Sequence, residues 1–193
     1  MPILGTIASS RKTGVSYTSG FYTISSGNPS GSSASFSITS IPSTYQHLQL
    51  RAIVRGDYGP WNGAGFSMTI NNDSTSNIYY TSREGVSNNG GGPVYASNGA
   101  SNRIGISYLP VGGAAANLYG AYIIDFYNYT STSVTKSFNS FGIGLLEDFQ
   151  VMSGNYNSTS AITSLEFTTN DGTTDRGNIL SNSVFSLYGW KDA

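Results

Sequence analysis

The sequence predicts an all-β protein, an antiparallel two-sheet β-sandwich of jelly-roll type, on three observations. Short runs with apolar side chains at every second position recur at roughly ten-residue spacing. Clusters of Gly, Ser, Asn, Asp and Pro, the residues that turn a chain, stand between them. No stretch carries a convincing helical pattern of apolar residues. Nine to eleven short strands without helices have one natural solution, two sheets that bury one face each against the other.

Residues 1–19 stand apart. Ile3, Leu4 and Ile7 precede Arg11, Lys12 and a Ser/Thr/Tyr run. This is either a first strand that frays or an arm that orders on a neighbouring subunit. Residues 20–193 then make a single β-sandwich domain. FYTI at 21–24 is a short strand, stopped by the turn-forming SSGNPSG.

The organising stretch is 35–55, SFSITSIPSTYQHLQLRAIVR. A short alternating run and a Pro-Ser turn lead into a longer run. There Leu48, Leu50, Ala52 and Val54 share one face, and His47, Gln49, Arg51, Ile53 and Arg55 the other. Such a unit is a hairpin, or a strand that changes sheets.

A loop follows at 56–63, with Tyr58 and Trp61 among its breakers. FSMTI at 66–70 alternates cleanly, NNDS at 71–74 turns, and IYYT at 78–81 resumes extension. Residues 82–101, around NNGGGP, read as a long loop. After a strand at 103–109, GGAAAN at 112–117 allows no more than a helical turn behind its two glycines. YGAYIIDFY at 119–127 is the most apolar run and reads as a central strand covered on both faces. Residues 134–146 read as a strand bulged at their glycines, 150–152 as a short strand, and 161–168 as a strand with Ala161, Thr163, Leu165 and Phe167 on one face. NDGT at 170–173 is a strong turn signal, and 183–190 forms the last strand.

Composition narrows the function. Only 10% of residues are charged, while 32 Ser, 18 Thr and 17 Asn carry the solubility. Net charge is -1 with no basic block, which argues against nucleic acid. It also leaves copies with little mutual repulsion, as suits a subunit that assembles. The absence of cysteine excludes a disulfide framework, thiol catalysis and Cys-ligated zinc. No run reaches the roughly 18 apolar residues of a membrane span. The start, with its apolar residues ahead of its charges, reverses a secretory signal and suggests synthesis in a cytoplasm.

Candidates for chemistry are few. His47 is the sole histidine and has no nucleophile-elbow pattern near it, so it is expected at a surface or interface. Asp125, Glu147, Asp148 and Glu166 are the carboxylates that a glycoside hydrolase would draw on. Asp125, inside an apolar run, needs a partner, for which Arg51 or Arg55 is expected. The oxygen-rich turns 71–74 and 170–175 match no EF-hand and read as turn chemistry rather than calcium sites. Glycosylation sequons at Asn72, Asn128 and Asn157 are expected by chance at this composition. Tyr58, Trp61, Tyr79, Tyr80 and Tyr95 are aromatic candidates for a glycan contact.

Five segments, MPILGTIASS, SFSITSIPSTYQHLQLRAIVR, YGAYIIDFYNYT, STSAITSLEFT and SVFSLYGWKDA, taken in order, resemble a group of tailed-bacteriophage virion structural proteins. Such proteins are common in phages of aquatic bacteria, cyanobacteria included. The resemblance spans both ends and most strands, and leaves out 56–63 and 82–101. It implies a virion surface component without enzymatic activity or cofactor, made in the host bacterial cytoplasm. The leading expectation is a capsid decoration or cement protein, a homo-oligomer with a trimer favoured, bound to other virion proteins such as the major capsid protein. Ile3, Leu4, Ile7, Arg11, Lys12, His47, Arg51 and Arg55 are its candidate interface residues. The alternative is a tail, baseplate or fibre subunit that meets host glycan through Tyr58, Trp61 and Tyr95. Neither nucleic acid nor membrane is expected as a partner.

Overall fold

Alternation decides which side a strand buries, and the runs 120–127 and 136–143 follow it throughout. The computed structural model describes residues 20–59, 63–86, 94–144, 148–169 and 177–191, with the backbone alone for 80–86, 94–98 and 148. Among them the strands are β1 (Tyr22–Gly27), β2 (Ser35–Ile38), β3 (His47–Val54), β4 (Gly63–Ile70), β5 (Ile78–Val86), β6 (Val94–Ser101), β7 (Ile104–Pro110), β8 (Gly120–Tyr127), β9 (Lys136–Ile143), β10 (Asp148–Tyr156), β11 (Leu165–Thr168) and β12 (Val184–Trp190). All pairings are antiparallel. An eight-stranded sheet runs β1-β12-β3-β8-β9-β10-β5-β6, and a four-stranded sheet runs β2-β11-β4-β7. The chain is all-β, with two antiparallel sheets packed face to face, a β-sandwich.

The stretch 35–55 changes sheets: β2 belongs to the small sheet and β3 to the large one. Between them Ile41 is buried and donates its N–H to Thr163 O at 3.0 Å, which pins the crossing. Leu48, Leu50, Ala52 and Val54 face the core as their spacing predicts.

The core is built on rings from both sheets. Phe36 stacks on Phe185 at 4.5 Å, Phe185 meets Phe167 at 4.9 Å, and Phe66 meets Tyr122 at 4.9 Å. Offset and tilted contacts of this kind add about 0.5–1.5 kcal/mol each beyond area burial. Tyr122 is buried, and its hydroxyl donates to Tyr108 O at 3.0 Å. That burial pushes its pKa well above the ordinary tyrosine value.

Four sequence expectations fail. Within 134–146, β9 pairs in unbroken register from 136 to 143 and carries no bulge. Its glycines serve close approach instead: a Cβ on Gly142 would lie 2.8 Å from the Tyr122 ring, and one on Gly144 1.5 Å from Tyr108 O. Residues 82–101 are mostly strand, because β5 reaches Val86 and β6 starts at Val94. The short strand at 150–152 is the middle of the nine-residue β10. Only Leu165–Thr168 of 161–168 is strand. Asn71 clasps the residues before it, its Oδ1 accepting from Thr163 N at 2.8 Å and its Nδ2 donating to Ala161 O at 2.8 Å.

Candidate interaction surface

Among the described residues no strand layer covers the outer face of the large sheet, and its side chains fall into rows set by the strand register. Val184, Ile53, Ala121, Ile143 and Phe149 line up across β12, β3, β8, β9 and β10. The next row is Ser186, Arg51, Ile123, Phe141 and Val151, and the third is Tyr188, Gln49, Asp125, Asn139 and Ser153. The last is Trp190, His47, Tyr127, Ser137 and Asn155. The face is thus graded, apolar at one end, polar across its middle and aromatic at the other end.

The run 119–127 is therefore not covered on both faces. β8 buries Tyr122, Ile124 and Phe126, while Ile123 points outward and is 40% exposed. Ile53, Ile143, Phe141, Phe149, Val151 and Val184 are likewise 43–54% exposed. A groove of about 260 Å³ runs among Ile53, Ala121, Ile123, Phe141, Ile143 and Val184. Its floor lies where the small side chain of Ala121 sits between Ile53 and Ile143.

The rows carry two charges, Arg51 in the second and Asp125 in the third. Asp125 has neither Arg51 nor Arg55 as a direct partner. Its Oδ1 accepts from Gln49 Nε2 at 2.8 Å, and Gln49 Oε1 in turn accepts from Arg51 Nε at 2.7 Å. A neutral amide so links the two charges. The Arg51 guanidinium lies over the rings of Phe21 and Tyr188, 5.7 and 5.4 Å from their centroids.

Arg55 and His47 are structural groups rather than free interface side chains. Arg55, only 8% exposed, donates from Nη1 to Ala115 O and Leu118 O at 2.9 and 2.8 Å, and from Nη2 to Val111 O and Ala114 O at 3.1 and 3.2 Å. The small-residue loop forms single helical turns around it, as its glycines and alanines suggested. His47, expected at a surface or an interface, is 6% exposed in the single chain, packed 5.0 Å from Trp190 and 5.7 Å from Tyr127. Its Nδ1 accepts from the Asn128 N–H at 3.2 Å.

The remaining candidates do not converge. Asp125 is on the outer face of the large sheet and Glu166 on the outer face of the small one, with the whole core between them, so they cannot flank one glycosidic bond. Glu147 and the turn 170–175 lie outside the described residues, as does the Asp148 side chain. So do Ile3, Leu4, Ile7, Arg11, Lys12 and Trp61, and the side chains of Tyr80 and Tyr95. Tyr58 packs half-buried against the core, and Tyr79 is exposed on β5 in the aromatic row. In the turn 71–74 the Asp73 carboxylate accepts from Thr75 N, Thr75 Oγ1, Asn77 Nδ2 and Tyr156 Oη, ordinary turn chemistry that holds its pKa well below the usual value. Among the described residues no group of three or more His, Cys, Asp or Glu gathers as a metal site.

Sequence reasoning missed the apolar rows. Phe141 and Ile143 share parity with Ser137 and Asn139, not with the buried Phe138. Apolar residues at both parities were the signal. No family model, curated protein or solved structure matches this chain.

Proposed function

We propose that this chain is a structural protein of a bacteriophage virion, a capsid decoration or cement protein that binds the outer shell and stabilises it. The observation that carries the assembly part of this reading is the outer face of the large sheet. Seven large apolar side chains there stand 40–54% exposed in adjoining rows, on a chain of net charge -1. Exposed patches of that extent mark interaction surfaces. The resemblance over both ends and most strands supplies the virion. The strand order supports the jelly-roll form of the sandwich: β1-β12-β3-β8 opposes β2-β11-β4-β7, two interleaved four-strand sets. The pairs β9–β10 and β5–β6 then extend one sheet. Partners are copies of the chain and other virion proteins such as the major capsid protein, and the protein acts without a cofactor or a catalytic step. Shells assembled with and without the protein test this: loss of heat or urea resistance in its absence is expected, and unchanged resistance overturns it.

The alternative, a tail, baseplate or fibre subunit that meets host glycan, draws on the aromatic end of the same face. Phe21, Tyr127 and Trp190 cluster there, with ring centroids 5.2 Å (Phe21–Trp190) and 6.3 Å (Tyr127–Trp190) apart. Purified protein that binds host polysaccharide and leaves shell resistance unchanged would favour it over the cement reading.

A further inference from the structure

We infer that two copies of this chain pack the apolar rows of their large sheets against each other about a two-fold axis lying between β3 and β8. The inference deepens the assembly reading by naming the partner of this face. It joins copies in pairs, where the sequence favoured trimers.

Area is the first argument. The large apolar side chains of the two rows together expose on the order of 600 Å², with each aromatic or branched side chain taken at its usual full area. Two such faces would bury about 1,200 Å² from these rows alone, the lower bound of a specific interface before any rim is added. Left in water, the same rows lie at the upper end of what a monomer exposes.

Shape and charge point to the same partner. Ile53 is the most exposed side chain of the rows, at 54%, and Ala121, its cross-strand neighbour, floors the groove. A two-fold parallel to the strands between β3 and β8 exchanges these two positions. Ile53 of each copy then enters the other's groove beside Ala121, a self-complementary contact of the kind closed symmetry requires. The same axis carries Arg51 of each copy onto the Ile123 position of the other, next to Asp125 in the following row. Among the described outward side chains of β12, β3, β8, β9 and β10, Arg51 and Asp125 are the charged ones, so the axis brings opposite charges of the two copies into neighbouring rows. Sheets packed face to face in this way meet at about 10 Å, the spacing of the sandwich itself.

Sedimentation equilibrium of the purified full chain tests the pairing apart from any shell. The wild type is expected to be a dimer. Ile53→Glu and Phe141→Glu should each weaken it by about 100-fold, as loss of a central apolar anchor does. Their circular dichroism should stay at the wild-type spectrum, because both side chains already face solvent in the single copy, and their thermal midpoint should match that of wild type diluted to monomer. Tyr108→Glu, on the exposed face of the small sheet, should leave the dimer intact. The chain has no cysteine, so a mixture of separately prepared Ile53→Cys and Ala121→Cys chains treated with a short bismaleimide should cross-link as the mixed pair in preference to either like pair.

A monomer at all concentrations overturns the inference, and so does a dimer that survives both glutamates. A dimer lost on removal of residues 1–19 but kept in Ile53→Glu would assign the contact to the arm and overturn it as well. None of these outcomes decides shell binding, which the heat-resistance comparison reads independently.

Discussion

Two buried cations close opposite ends of β8, and they do so by different chemistry. Arg55, beside the start of the strand, directs both terminal nitrogens into one loop and takes four carbonyls between Val111 and Leu118. Lys136, beside its end and fully buried, gathers Ser131 O, Val134 O and Ser158 O at 2.6, 3.2 and 3.2 Å. Among the described residues neither cation is paired with a carboxylate. The planar guanidinium fork suits several carbonyls of a single turn, whereas the ammonium, with three donors around one point, staples two separate segments. The two differ in titration as well. Burial drives the Lys136 pKa below its ordinary 10.5. The comparison teaches that a chain with few charges spends two of them inside, as ties for irregular backbone that no strand can satisfy.

Arg55→Met breaks the comparison most severely. It removes the guanidinium's four hydrogen bonds, leaving Val111 O and Ala115 O with a backbone N–H each and Ala114 O and Leu118 O without that donor, and a loss of about 3–5 kcal/mol is expected, a large share of a domain's stability. Arg55→Lys restores the charge but only three donors, so its urea midpoint should fall between wild type and Arg55→Met. Equal midpoints for wild type and Arg55→Met would mean that water satisfies the loop unaided.

Lys136→Met should cost less, about 2–3 kcal/mol. Three hydrogen bonds to carbonyls rather than four are lost. Urea unfolding of both methionine variants side by side ranks the two ends. A larger loss at Lys136 would reverse the order argued here.

Titration sharpens the contrast further. Because the folded pKa of Lys136 is lowered, the unfolded chain binds more protons between that value and 10.5, and stability from this group rises with pH across the window. Tyr122, Tyr129 and Tyr156 act in the opposite sense: their folded pKa values are raised above 10.0, so the stability they contribute is lost as pH climbs past it. The Lys136 contribution must therefore be read as a difference. The stability gap between wild type and Lys136→Met should widen in favour of wild type with rising pH, and a constant gap would remove Lys136 from the alkaline response.

How much of this was legible in the sequence follows from what a pattern encodes. The alternation at Leu48–Val54 marks the core face of β3, while the Pro-Ser turn before it allows a hairpin as well as the crossing between sheets that the fold adopts. β5 and β6 were read as loop beyond Thr81 because their residues are mostly small and polar, and no apolar period marks such strands. β8 looked buried on both faces because Ile123 carries the same sequence signal whether core or a partner covers it. The cages were invisible for a different reason. The carbonyls that hold Arg55 come from residues 56–63 positions away, and a carbonyl has no residue type. So Arg55 was placed at an interface, and Lys136 was not singled out at all.

The smallest effect concerns the end of the sandwich where Lys136 sits. Tyr156, paired with Lys136 across β10 and β9, also donates to Asp73 Oδ2 at 2.9 Å. The hydrogen bonds from Thr75, first through its side chain, and from Asn77 hold the Asp73 carboxyl well below its ordinary 3.8. A depressed folded pKa gives stability that is fully present above 3.8 and drains away as pH falls toward the folded value. Asp73→Asn should cost about 1 kcal/mol near neutrality, as the amide keeps one acceptor oxygen but sets an NH₂ against its donors. It should also flatten the loss of stability below pH 3.8. Thermal midpoints of wild type and variant across the acid range measure both effects. The prediction specific to the comparison is local. Amide exchange on acidification should quicken first around Thr75 and Asn77, while the amides of 112–118, tied by Arg55, keep their protection until global unfolding. Simultaneous loss at both ends would show that β8 couples them into one cooperative unit, and that the chemical difference between the two cations does not divide the domain.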